Sequence, residues 1–289
     1  MRIVVPAVPA VLSTNVAATA LGEWSPATTY ASGATVSYTA VQPLPHHEFE
    51  SLQANNQNHR PAIGGTDWWL DLGACNRHKM FDDRVNSRTV ATAADGSLRI
   101  TMSAAAGATV VALLNLRNAA AVTITQTVGG LLKSTVTVNP LNARSYVYDL
   151  PSVGSNPVIA VDLLASAPAT PVECGHCVLG APTELGATEW GAQPGLLDYS
   201  TFEKTTYGDT IFVARQNVRE NSFTTWVETA DFDRVFNYVE SVLGTLVLID
   251  ANNADTSFDA LRVFGKIASF RPGLRYNRTP IDVRVEGIA

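Results

Sequence analysis

The chain has 289 residues, of which 46% are hydrophobic and only 16% are charged, and its formal net charge is −6. This length predicts two or three domains, each with a hydrophobic core of its own. Nucleic-acid binding depends on neutralising phosphates, so an acidic chain without a basic tract is not expected to bind DNA or RNA. The sequence also lacks the ~20 consecutive apolar residues that a membrane-spanning helix requires.

Residues 1–21 are predicted to form an N-terminal arm rather than a signal peptide. Pro6 and Pro9 interrupt its mildly apolar stretch, and Arg2 is its only basic residue. A secretory signal would have a more basic start and an uninterrupted apolar segment. The whole chain has three cysteines, which are too few for a disulfide scaffold of this length. We therefore expect synthesis in a reducing cytoplasm.

Residues 22–74 predict a small, aromatic-rich β module. Two β-like runs, Ala34–Tyr38 and Glu48–Leu52, lie between turns rich in Pro, Gly and Asn. Three of the five tryptophans of the chain fall in this segment. A unit of about 50 residues has little core of its own, so buried aromatic rings must provide much of its stability.

Residues 75–183 predict a β-sandwich. Val110–Leu116 is a nearly continuous apolar run, which is typical of a strand buried on both faces. Ala121–Val128 and Leu131–Val138 are separated by Gly129-Gly130, which predicts a β-hairpin. Further β-like runs continue the series at Ala143–Leu150 and Pro157–Leu164. Strands at short spacing with no helix between them favour an antiparallel, jelly-roll-like sandwich.

Residues 184–289 predict a C-terminal β domain with one packed helix. Tyr207–Arg219 and Asn221–Glu228 are predicted to form paired strands. Three more strands are expected at Thr245–Ala251, Arg262–Phe270 and Ile281–Gly287. The fold class is therefore mainly β, with a small module, a sandwich and this C-terminal domain.

The single helix is predicted over residues 229–243. Its apolar residues recur at spacings of three and four, which gives one apolar face. They are Phe232, Val235, Phe236, Val239, Val242 and Leu243. Asp231 is expected to cap the amino end of the helix, and Gly244 is expected to end it.

The motif of the first unit is Trp24-Ser-x-x-Thr28-x-Tyr30-x-x-Gly33-x-x-Val36-x-Tyr38, followed by Phe49-Glu50-Ser51-Leu52 and Trp68-Trp69. This order resembles the small chitin-binding modules of chitinases, which bacteriophages reuse near their tails and fibres. The resemblance implies a carbohydrate-binding module near the N-terminus.

Two later segments extend the similarity. Asn76-Arg77-x-x-x-Phe81-Asp82 follows the module, and Leu185-Gly186-Ala187-Thr188-x-x-Gly191 lies further on, with Gly195-x-x-Asp198-Tyr199-Ser200-x-x-Glu203 and Gly208. Together with the module, they resemble a family of bacteriophage tail-tip and baseplate proteins over roughly residues 1–220.

Membership in that family implies a structural, non-enzymatic minor tail protein of the virion. Its expected partners are other tail and baseplate proteins and further copies of itself, in three-fold or six-fold order. Closed rings are the usual outcome for repeated subunits, and many weak contacts with host surface glycans on such a ring would add by avidity. The alternatives are a glycan-binding module protein and a tail protein that degrades host polysaccharide.

Five aromatic residues of the module are the candidate glycan platform. They are Trp24, Tyr30, Tyr38, Trp68 and Trp69. Flat aromatic rings stack on the C–H faces of sugars and offer large contact area at low entropic cost. Asn55, Asn56 and Asp67 could supply polar contacts. The competing interpretation is that most of these rings form the core of the module, and a third is that one tryptophan is buried against a neighbouring subunit.

The cysteines give a weaker candidate for a metal site. Cys75 with His78, and Cys174 with Cys177, are two pairs with a chelating gap of two residues, and together they could form a tetrahedral zinc site. The pairs lie about 100 residues apart, so only the fold can bring them together. The alternatives are a disulfide involving Cys75 and inert buried thiols. No cofactor is expected.

Catalytic motifs are missing from the sequence. It contains no GxSxG elbow, HExxH, P-loop or dinucleotide fingerprint. Asp82-Asp83 could imitate the paired carboxylates of a glycoside hydrolase, but neighbouring residues of an extended chain face opposite ways. His46, His47 and His59 lie in polar turn sequence and are expected to be solvated. We therefore predict that the chain is not an enzyme.

Overall fold

A computed structural model describes residues 1–40, 46–103, 107–140, 144–151, 157–204, 206–252 and 258–288. These residues confirm the mainly β class. The strands of the first half are β1 (Arg2–Val4), β2 (Ala10–Thr14), β3 (Thr29–Tyr30), β4 (Thr35–Tyr38), β5 (His47–Ser51), β6 (Asn56–Gln57), β7 (Trp69–Ala74), β8 (Thr89–Val90), β9 (Leu98–Ser103), β10 (Val110–Leu114), β11 (Ala119–Val128), β12 (Leu131–Val138) and β13 (Tyr146–Asp149).

The remaining elements complete the description. The later strands are β14 (Val158–Ala165), β15 (Glu173–Cys174), β16 (His176–Gly180), β17 (Pro182–Glu184), β18 (Ala187–Thr188), β19 (Gln193–Asp198), β20 (Thr201–Lys204), β21 (Thr210–Val213), β22 (Asn217–Glu228), β23 (Val247–Asp250), β24 (Arg262–Pro272) and β25 (Arg278–Gly287). The helices are α1 (Phe232–Val242) and the 3-10 turns Lys79–Phe81, Thr229–Asp231 and Asp259–Leu261. Within the described residues, no helix is long and apolar enough to cross a membrane.

Two sheets form the predicted sandwich. The outer sheet has the order β12-β11-β14-β9-β2, and the central sheet has the order β13-β10-β16. The side chains of Val111 and Leu113 on the central sheet share one core with Ile100, Ile124 and Val161 on the outer sheet. The β11–β12 hairpin is also confirmed, because Gly129 and Gly130 take the positive φ values of 59° and 77° that its tight turn requires.

The central sheet is covered on its second face as well. Val110, Ala112 and Leu114 alternate with the sandwich residues along β10 and pack against Leu248 and Phe264 of a third layer. That layer is the C-terminal sheet, of order β17-β1-β23-β24-β25-β22-β18 with β19 also paired to β22. The prediction that this apolar run is buried on both faces is therefore confirmed.

The helix α1 forms a fourth layer on the far face of the C-terminal sheet. Val235, Val239 and Val242 are buried against that sheet, whereas Phe236 and Leu243 are exposed. Phe236 instead contacts Phe232 and Phe270 at the rim. The predicted apolar face is thus narrower than expected.

Asp231 lies at the predicted cap position of the helix, but the prediction that its side chain caps the helix is wrong. Asp231 precedes α1, but its side chain accepts no capping hydrogen bond. The preceding residues form a 3-10 turn, and the Asp231 carboxylate lies 3.8 Å from the guanidinium of Arg234. Gly244 takes φ +82° just beyond the helix, as expected of a residue that ends it.

The first residues of the chain belong to both large units. β1 pairs with β17 and β23 within the C-terminal sheet, and β2 pairs with β9 at the edge of the outer sheet. Arg2 places its guanidinium 3.2 Å from Asp250 on β23 and 2.5 Å from Asp149 on the central sheet. The arm therefore ties the layers together, although its residues lie more than 200 positions from their partners on β23.

The predicted pairing of Tyr207–Arg219 with Asn221–Glu228 is wrong. Asn217–Glu228 is one continuous strand, and it pairs with β25, β18 and β19. Thr210–Val213 pairs instead with Thr201–Lys204, in a separate two-stranded sheet. The error arose because both segments have β-like composition, while their partners are chosen by contacts remote in sequence.

Candidate functional site

The aromatic module has two small sheets, β4-β5-β7 and β3-β6, around one core. Val36, Tyr38, Phe49 and Trp69 form the centre of this core, and Phe49 and Trp69 have no solvent exposure. The segment between them turns sharply, since Asn55 and Asn58 both take positive φ values. In so small a unit the large rings take the place of an aliphatic core.

Edge-to-face contacts fix four of the five predicted platform residues. Trp24 packs on Tyr38 with ring centroids 5.3 Å apart, and Tyr30 packs on Trp69 at 5.2 Å. Trp69 Nε1 also donates a hydrogen bond to the His59 carbonyl at 2.7 Å. Tyr38 and Trp69 are buried, so neither offers a ring face to a ligand. Trp24 and Tyr30 are half-buried.

Trp68 is the platform residue with the geometry most suited to a sugar. Its half-buried ring stacks on His59 with centroids 3.7 Å apart and planes 7° from parallel. His59 is held in turn by Asn56, whose Oδ1 lies 3.1 Å from His59 Nδ1. The exposed Gln53 donates a hydrogen bond to the Asp67 carbonyl beside this stack. The result is a rigid planar pair with polar neighbours.

The predicted polar contacts of the platform also differ in burial. Asn56 is fully buried and donates hydrogen bonds to Ser51 and to the Trp68 carbonyl, so it supports the module from inside. Asn55 and Asp67 are exposed. His59 was expected to be solvated and is instead half-buried in the stack. No local pattern in the sequence identified His59 as the stacking partner of Trp68.

A second cluster lies where the module meets the sandwich. The rings of His46 and His78 stack with centroids 3.9 Å apart, and Cys75 Sγ lies 3.3 Å from His78 Nδ1. Burial, together with nearby His46 and Arg77, lowers the pKa of His78 to about 4, and burial raises the pKa of the Cys75 thiol. These groups are therefore neutral near pH 7.

A cavity of about 290 Å³ adjoins this junction. Asp82 lines it, and burial raises the pKa of this carboxyl to about 6 although Arg84 and Ser87 donate hydrogen bonds to it. Asp83 is exposed. The two neighbouring carboxylates thus lie in different environments, and the structure does not arrange them to flank one bond as a hydrolase requires.

The candidate metal ligands are not gathered into one site. Cys174 and Cys177 lie in the sandwich core, whereas Cys75 and His78 lie at the junction. Burial raises the pKa of Cys174 to about 12 and raises that of Cys177 well above its usual range. Among the described residues, no group of three or more His, Cys, Asp or Glu side chains could hold a metal ion. All three cysteines are buried thiols that form no disulfide.

Sequence reasoning missed a buried histidine between the layers. His176 on β16 is 3% exposed, and its ring packs on Phe264 of the C-terminal sheet at 4.1 Å. Burial lowers its pKa to about 4. Alternation along β16 points its side chain away from that of Cys177, which lies in the sandwich core.

Residues 185–204 and 206–213 lie at an outer edge of the C-terminal sheet. Within this segment, β18 and β19 pair with β22, and the β20–β21 hairpin extends beyond the sheet. Large apolar side chains of this segment are exposed: Trp190, Leu196, Phe202, Tyr207 and Phe212. Exposed apolar patches are typical of surfaces that contact other proteins.

No protein-family model matches the chain, and a comparison with curated proteins finds no match.

Proposed function

We propose that the chain is a structural component of a bacteriophage tail tip or baseplate, a minor tail protein that assembles with its neighbours in the virion. The observation that carries this proposal is the apolar edge formed by residues 185–204 and 206–213, with exposed side chains such as Trp190, Leu196 and Phe202. This edge coincides with the segment whose motifs resemble the tail family. It is attached to a body of stacked β layers with shared apolar cores.

The layered body suits a mechanical role. Apolar cores lie between the outer, central and C-terminal sheets, and Arg2 links two of these sheets through Asp149 and Asp250. Such close-packed interiors transmit force and deform little. The aromatic module is connected to this body through the Cys75–Phe81 junction, where the ring of His78 stacks on that of His46.

Particle composition tests the proposal directly. Purified phage particles should contain the chain, and antibodies against it should label one end of the tail in electron micrographs. Phage in which the gene is disrupted should yield particles with defective tails, restored by supplying the protein. Absence of the chain from purified particles would end the proposal.

Contact with host surface glycans is a second proposed role, supported by the Trp68–His59 stack. Trp68 is half-buried in a flat pair, with Asp67 exposed beside it. Stacking of a sugar on one aromatic ring contributes modest affinity, which repeated copies would multiply.

Titration of the full chain with a chito-oligosaccharide tests the glycan role. Trp68→Ala should abolish the binding heat, and Tyr276→Ala, at a 95% exposed position outside the module, should leave it unchanged. Binding that survives Trp68→Ala would remove this ring from the site.

A further inference from the structure

The β20–β21 hairpin is a two-stranded sheet with neither face covered. Phe202 is 74% exposed, Phe212 is 53% exposed, and Tyr207 near the tip is 94% exposed. Every described residue of both strands is exposed except the half-buried Thr201. A lone hairpin is marginally stable in water, so a hairpin with this much apolar surface needs another surface to pack on.

Each of its two faces carries exposed apolar side chains. Phe202 and Phe212 are cross-strand partners with ring centroids 4.7 Å apart, and they form the aromatic face. Ile211 and Val213 lie on the opposite face. The aromatic face and the exposed Tyr207 near the tip supply the apolar contact surface of the hairpin.

The same chain carries an apolar cleft of about 230 Å³ on the C-terminal sheet. Trp190, 79% exposed, and Phe258, 55% exposed, form part of its walls. Leu261 and Ala192 are among its other lining residues. This volume is enough for one aromatic side chain.

The hairpin and the cleft lie at opposite ends of β19. Pro194, at the start of β19, lines the cleft, whereas the hairpin begins just after Asp198, where β19 ends opposite Asn217. Six residues of strand span about 20 Å. In the structure the aromatic rings of the hairpin are exposed, so they do not fill the cleft of their own chain.

The charges beside the two surfaces are complementary. Lys204 lies two residues from Phe202 on the aromatic face of the hairpin, and Glu189 lines the cleft. Docking of the hairpin into a cleft would bring these opposite charges together at the rim, which favours the correct orientation.

We propose that the β20–β21 hairpin of one copy docks its Phe202–Phe212 face into the Trp190–Phe258 cleft of a second copy. This inference rests on the proposed function as a repeated structural subunit, and it names the partner and the two surfaces. The contact joins different patches of the two copies. Such a head-to-tail contact produces a closed ring when its rotation closes.

Two complementary variants test the contact. The molar mass of each protein in solution is measured by light scattering. The hairpin variant, Phe202→Ser with Phe212→Ser, keeps the cleft. The cleft variant is Ala260→Arg, at a residue that lines the cleft, and it keeps the hairpin. The wild-type chain should run as an oligomer and each variant alone as a single chain. An equimolar mixture should recover a one-to-one complex, because each variant supplies one intact surface.

Tyr276→Ser is the matched control, since Tyr276 is 95% exposed and lines neither surface. It should leave the oligomer unchanged, and circular dichroism should show that all variants are folded. A monomeric wild type would overturn the inference, as would a cleft variant that still self-associates, which would indicate hairpin-to-hairpin pairing. Neither result changes whether the chain is found in phage particles, so the two proposals fail separately.

Discussion

The central β10–β16 pair and the β20–β21 hairpin are both antiparallel pairs rich in apolar residues, yet they have opposite surroundings. Every residue of β10 and β16 is buried, because the outer sheet covers one face and the C-terminal sheet covers the other. Every residue of β21 is exposed. Apolar composition therefore indicates that a strand has apolar surface to bury. The tertiary structure decides whether another element of the same chain covers that surface.

The largest expected effect is the loss of a side chain from the central pair. Leu113→Ala should lower the free energy of unfolding by about 3–5 kcal/mol, because Leu113 has no exposure and the close-packed core cannot fill the cavity. Urea unfolding followed by tryptophan fluorescence measures this. A loss below about 1 kcal/mol would mean that the core between these sheets is loosely packed.

His176 gives the next largest effect, and it depends on pH. Its pKa is lowered from 6.5 to about 4 in the folded chain, so the unfolded chain binds the proton first as pH falls. The stability from this group is complete above about pH 6.5 and is lost as pH falls to about 4, a change of roughly 3 kcal/mol.

His176→Phe should remove this contribution to the pH dependence. The unfolding free energies of the wild type and the variant are measured across that pH range. As pH falls, only the wild type loses the stability that neutral His176 provides, so the difference between the two free energies should change. His78 and Asp82 titrate in the same range in both proteins, so the difference between the two curves isolates His176. Parallel curves would show that His176 can take up a proton in the folded chain.

The smallest expected effect belongs to the hairpin. Phe212→Ser should change the unfolding free energy of the isolated single chain by less than about 0.5 kcal/mol, since this ring is more than half exposed. The same urea titration, at a concentration where the chain is monomeric, measures it. A loss as large as that of Leu113→Ala would show that the hairpin packs within its own chain, and the contrast between the two regions would then disappear.

Local sequence determined several elements of this protein. Gly129-Gly130 set the β11–β12 turn, spacing of apolar residues set α1, and the unbroken run at Val110 indicated a strand buried on two faces. The five aromatic residues of the module lie in or against one core, and their role as a glycan platform stays a prediction. In each case the signal lies within a few neighbouring residues, where backbone geometry and side-chain periodicity act directly.

The tertiary structure alone decided which strands pair and which rings are exposed. β1 joins strands more than 200 residues away, and β22 pairs with β25 rather than with the segment beside it in sequence. Trp68 and Trp69 are neighbours, yet one stacks at the surface on His59 and the other is fully buried. Successive side chains of a strand face opposite ways, and which of those faces meets a core depends on partners that no local pattern identifies.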